Sequence, residues 1–130
     1  MSIEELENVR YARKRIEVIR KTIEELDQLL LPSRVGGVHS QNPSSPVEQH
    51  FRQKERLVSS LEKETQTLLE LMEYVQAWCE TCPVKIRNIV FLRYLQGKSW
   101  KYVARHLYGG YTQESVPYNA LKGYLTKNTN

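Results

Sequence analysis

Apolar or small residues recur along the first part of the chain at Val9, Ala12, Ile16, Ile19, Ile23, Leu26 and Leu30, in alternating steps of three and four. That spacing lays one apolar seam along a helix and predicts a long amphipathic helix that stops at Pro32. Ile3 and Leu6 lie off this register, so the first turn or two is expected to pack differently or to fray. Between Leu31 and Val47 the text LPSRVGGVHSQNPSSPV is rich in Pro, Gly and Ser and has no helical or strand period. It reads as a flexible loop over about 32–47, with His39 a solvated residue that has no ligand-type neighbour at metal spacing.

The seam resumes at Phe51, Lys54, Val58, Leu61, Thr65, Leu68, Met72, Val75, Cys79 and Cys82, widened by Leu57, Leu71 and Trp78. A second helix as long as the first follows from this pattern, ending before Pro83. Two such helices bury their stripes either as an antiparallel, coiled-coil-like hairpin or by pairing with a second subunit to give a homodimer. Cys79 and Cys82 form the chain's one cysteine pair, CETC, and fall on seam positions where a small hydrophobe is expected. They supply half of a four-ligand zinc site without a second cluster, so packing is the better reading and no metal is assigned.

Beyond Pro83 the periods become short. Ile86, Ile89, Val90, Arg93 and Tyr94 are helically spaced, with Gly97 placed for a left-handed cap. Ser99 is positioned to cap WKYVARHLY, whose buried face is Trp100, Val103, Ala104 and Leu107, and Gly109 and Gly110 stop it. A last amphipathic helix carries Val116, Ala120, Leu121, Tyr124 and Leu125 on one side and Ser115, Tyr118, Asn119 and Lys122 on the other. Pro117 argues for Ser115 as its cap, with Val116 and Pro117 as the first two helical residues. The fold class expected is all-α: residues 1–82 form a long helical hairpin, and residues 83–130 a small helix-turn-helix bundle.

Charge then separates these two parts. Residues 1–82 carry 11 Lys/Arg against 14 Asp/Glu, whereas residues 83–130 carry 8 against the single acid Glu114. A net charge of about +7 concentrated on 48 residues attracts phosphate in a way that the overall +4, spread evenly, would not. Docked on double-stranded DNA, the last helix would offer Asn119 and Gln113 to adenine edges and Ser115 and Tyr118 to bases or backbone. Lys98, Lys101, Arg105 and Lys122 are the expected phosphate partners.

The segment RNIVFLRYLQGKSWKYVARHL, with its RY, G-x-S-W and V-A elements, resembles the signature of sigma-factor region 4 over roughly residues 84 to 126. The layout of helical hairpin, Pro/Gly/Ser loop and C-terminal module is similar to phage-encoded sigma-like regulators of the RinA/ArpU kind found in Firmicutes. The resemblance implies control of phage gene transcription and RNA polymerase as a second partner. It departs at the turn YGGYTQES, which is longer than usual in such modules, and at Pro117.

No phosphate-binding glycine loop, nucleophile elbow or carboxylate–histidine cluster is present, so neither an enzyme nor a cofactor is expected. His106, beside Arg105, reads as a surface or phosphate contact. The N-terminus has no apolar leader segment and no stretch nears the ~20 apolar residues that span a bilayer, so a cytoplasmic protein is expected. The alternative to a DNA-binding regulator is an interaction module that binds RNA polymerase or another host protein without reading DNA. An accessory protein of packaging or recombination is a third.

Overall fold

The computed structural model describes residues 1–29 and 46–128. It is all-α: α1 (Ile3–Leu29), α2 (Pro46–Cys79), α3 (Val84–Val90), α4 (Trp100–Tyr108) and α5 (Ser115–Lys127), with α3 continuing into a π-helical turn, Phe91–Leu95. Among the described residues no helix is long and apolar enough to cross a membrane. The loop expected over about 32–47 and His39 lie outside the described residues, except that Pro46 and Val47 belong to α2. Proline is compatible with that first position because its missing N–H has no intrahelical partner there.

The chain forms two compact units. The first joins Met1–Tyr11 to the chain from Leu68 onward; the second lies within Ala12–Thr67. This differs from the division at residue 82 expected from the sequence. Pro83 does redirect the chain, as the residue preceding α3. But α3, α4 and α5 are too short to enclose a core by themselves, and the missing walls come from Leu6 and Val9 of α1 and from Val75 and Cys79 of α2, all fully buried.

The start of α1 packs differently from the seam, as its register allowed, and does not fray. Leu6 is 0 % exposed, and the first turn is closed by a capping box in which Ser2 Oγ accepts from the Glu5 amide at 3.1 Å and Glu5 Oε2 accepts from the Ser2 amide at 3.1 Å. Two amides that would otherwise be orphaned are satisfied reciprocally, which resists fraying. The signal was present as Ser2-Ile3-Glu4-Glu5.

In the second unit α1 and α2 run antiparallel, as their cross-pairs show: Arg15 Nε meets Glu64 Oε2 at 3.0 Å, and Lys54 Nζ meets Asp27 Oδ1 at 2.8 Å. Ala12 and Ile16 are buried on α1 as expected. On α2 the inward side is His50, Lys54, Leu57 and Leu61, whereas Phe51 (59 % exposed) and Val58 face solvent. The expected seam was therefore about one position off here. Its apolar stripe is broad enough to allow either face, and Lys54 and His50 turn toward Asp27.

Cys79 and Cys82 are buried in the first unit's core. Cys79 Sγ lies 3.8 Å from the Arg87 carbonyl and Cys82 Sγ 3.5 Å from the Trp78 carbonyl. Burial, reinforced by Cys82, pushes the Cys79 thiol up from 9.0 to about 12, opposite to the shift that activates a cysteine.

Candidate functional site

The candidate surface is built on α4, the turn after it and the start of α5. Three local devices set α4. Gly97 has φ +76°, and the Lys98 amide beyond it donates back to the Leu92 carbonyl at 2.9 Å, ending the preceding helix in a left-handed cap. Ser99 Oγ then accepts from the Tyr102 amide at 3.1 Å and starts α4. At its other end Gly109 takes φ +113°, a conformation that a side chain at this position would strain. Ser99→Ala is expected to lower stability by about 1 kcal/mol, and Ser99→Asp, which also caps, to restore most of it. Thermal unfolding of the three proteins followed by circular dichroism checks this.

The inner face of α4 is Val103 and Ala104, both fully buried, with Trp100 and Leu107 half-buried, as the spacing required. Trp100 is gripped from three sides. The Arg93 guanidinium lies 4.9 Å over its ring, Tyr94 meets it edge-on at 6.1 Å, and Tyr118 of α5 meets it edge-on at 5.5 Å. Arg93 itself is 8 % exposed and donates from Nη1 to the Lys98 carbonyl at 3.1 Å. Burial, together with nearby Arg10, pushes Arg93 down from its usual range, and Glu7 partly offsets this. The π-helical turn inserts one extra residue just here, and Arg93, Tyr94 and Leu95 are all buried within it.

The helix α5 begins one residue earlier than expected: Ser115 is its first residue and Glu114 precedes it, with no side-chain capping bond. Pro117 thus occupies the third helical position, still within the turn whose amides lack intrahelical acceptors. It is fully buried, while Val116, expected on the inner side, is 41 % exposed. Leu121 and Leu125 are buried and Ala120 and Tyr124 half-buried, as expected.

Four of the residues singled out from the sequence come together. Lys101 and Arg105, one turn apart on the outer face of α4, line an open cleft of ≈ 630 Å³ with Gln113, Glu114 and Ser115. An adjoining hollow shares Lys101 and Arg105 and adds Ser99, Tyr102 and His106. Lys98 joins through Tyr102, its Nζ lying 5.1 Å from that ring's centroid. On the other side Ser115 and Glu114 also line a hollow with Trp100 and Tyr118, where Tyr118 is half-buried. Asn119 and Lys122 line none of these hollows; they are exposed on α5 at four and seven residues from Ser115, the same helical stripe.

Sequence reasoning passed over two aromatic residues of this face. Tyr102, 41 % exposed, stacks on His106 at 5.5 Å with 9° between the rings. The spacing 98, 102, 106 was the available signal, since residues four apart share a helix face. Tyr111, in the turn, is 104 % exposed and also borders the Lys101–Arg105 cleft.

The surface therefore combines two outward cations on one helix, amide and hydroxyl side chains across a cleft, and exposed rings, with Glu114 the one carboxylate among them. Such a set can hold phosphate oxygens and offer hydrogen bonds to polar edges. No curated protein and no solved structure matches the chain. A family model, described as a protein of unknown function (DUF722), matches residues 8–127. Because that match extends over nearly the whole chain, the protein belongs to the DUF722 family.

Proposed function

We propose that this protein is a DNA-binding transcriptional regulator, phage or prophage encoded, that binds promoter DNA through a sigma-like helix-turn-helix made of α4, the Gly109–Glu114 turn and α5. The observation that carries this reading is the cleft in which Lys101 and Arg105 of α4 face Gln113 and Ser115 at the entrance to α5. In a helix-turn-helix the second helix enters the major groove N-terminus first while the helix before it crosses the backbone. Lys101, Arg105 and Lys98 then contact phosphates and fix the register. Gln113 at the end of the turn and Ser115 and Asn119 on one stripe of α5 are then offered to base edges, and Lys122 lies farther along the same stripe toward the flanking backbone. The concentration of cations in residues 83–130 supplies the long-range attraction.

Selection of binding sites from random double-stranded DNA by the full chain tests the proposal. The expected result is a defined enriched motif whose binding weakens steeply with added salt. No enrichment and no salt-sensitive DNA binding would overturn it, and a stoichiometric protein partner captured after nuclease treatment would then favour the adaptor reading.

A further inference from the structure

We infer that Tyr111 is a backbone-contacting residue of the DNA interface, packing its ring against a deoxyribose and offering its hydroxyl to the adjoining phosphate beside Lys101 and Arg105. This rests on the DNA-binding reading and adds to it a contact made by the turn itself. An isolated exposed tyrosine is ordinary. Tyr111 differs in how completely it is left in solvent and in where it stands. At 104 % exposure its ring has essentially no neighbour in its own chain, whereas Tyr108 and Tyr118, at the ends of the two helices the turn joins, are half-buried.

The turn around it is open. Gly109 takes φ +113° just after α4, and a side-chain carbon built at Gly109 or Gly110 would meet nothing within 4 Å. Tyr111 lines the ≈ 630 Å³ cleft together with Lys101 and Arg105. Tyr111 stands four positions before Ser115, where α5 begins. With the start of α5 inside the major groove, a residue that far ahead of it stands at the groove's rim, where the sugar–phosphate chain passes.

Tyrosine suits that place. Its flat apolar face covers a sugar, its hydroxyl donates to a phosphate oxygen, and ordering it fixes only two side-chain torsions. Contacts of this kind carry no sequence information, so Tyr111 should contribute equally on every duplex.

The test measures affinities of the full-length wild type, Tyr111→Ala and Tyr111→Phe for a duplex carrying the selected site and for several unrelated duplexes at one salt concentration. Tyr111→Ala is expected to weaken binding about tenfold on all of them through loss of the buried ring. Tyr111→Phe, losing one hydrogen bond, should weaken it about threefold or less. Thermal midpoints should be equal, because the ring makes no contact within the fold. Unchanged affinity of Tyr111→Ala, or a loss confined to the selected site, overturns this assignment while leaving DNA binding intact. Absence of any DNA binding by the wild type overturns the DNA-binding reading itself, and this one with it.

Discussion

Replacing Tyr94 by alanine is expected to lower the stability of the fold by about 3–5 kcal/mol, the range for truncating a buried aromatic side chain to a methyl. Among the described residues Tyr94 is the largest fully buried side chain. It lies against Trp100, and its hydroxyl donates to Glu7 Oε1 at 3.4 Å, tying the π-helical turn after α3 to the first turns of α1. Small domains are stable by only about 5–15 kcal/mol, so the variant should melt at least ~10 °C lower and be partly unfolded at physiological temperature. Tyr94→Phe separates packing from the hydrogen bond. It keeps the ring and leaves Glu7 bound to Arg10 at 3.0 Å, so its cost should be about 1 kcal/mol.

The same pair of proteins makes an alkaline signature. Burial, with Glu7 nearby, raises the Tyr94 phenol above its usual value, so the folded state holds a proton that the unfolded state releases above pH ~10. Stability from this source is therefore complete below that pH and is lost as pH rises past it, and Tyr94→Phe should flatten that part of the profile. Cys79 acts in the same direction from about pH 9.0 upward, in both proteins. Equal melting of Tyr94→Ala and wild type would show that this residue does not hold the unit together.

Tyr94 and Glu7 also mark where the sequence ceased to be legible. Local signals were read well because their causes are local. Pro83 redirects the chain, Gly97 takes a left-handed conformation, Ser99 caps α4, and Val103, Ala104, Leu121 and Leu125 are buried as their spacing implied. The hydrogen bond between Tyr94 and Glu7 spans 87 positions, and no local pattern reveals which remote helix turn will close a core. Leu6 therefore looked like part of an off-register first turn, and Val9 like the first residue of the hairpin seam, when both are walls of the C-terminal unit. Phe51 and Val58 failed for a different reason. A stripe wider than one seam fits two faces, and the one turned inward carries His50 and Leu57. At the candidate site the charged positions were evident from charge alone, but the start of α5 was displaced by one residue because Pro117 is tolerated throughout the first turn.

The cations of that site give the second large effect. The double variant Lys101→Glu with Arg105→Glu is expected to weaken binding to every DNA duplex by on the order of a hundredfold, since two charge-assisted contacts of ~1.5 kcal/mol each are lost and repulsion replaces them. The slope of log affinity against log salt should also fall by about 2, one for each phosphate released. The fold should tolerate the change. Both side chains are exposed, and the new acids oppose each other in their effect on α4, because residue 101 lies in its first turn and residue 105 in its last. Net charge is the confounding variable, and it can be matched: Lys21→Glu with Lys63→Glu makes the same change of charge at exposed positions of the second unit. If the cleft binds phosphate, the matched control should lose far less affinity and keep the salt slope, because the slope counts only the phosphates that cations neutralise directly. Equal losses in the two double variants would mean that attraction to DNA is a property of total charge, and the face formed by Lys101 and Arg105 would then have no special part in it.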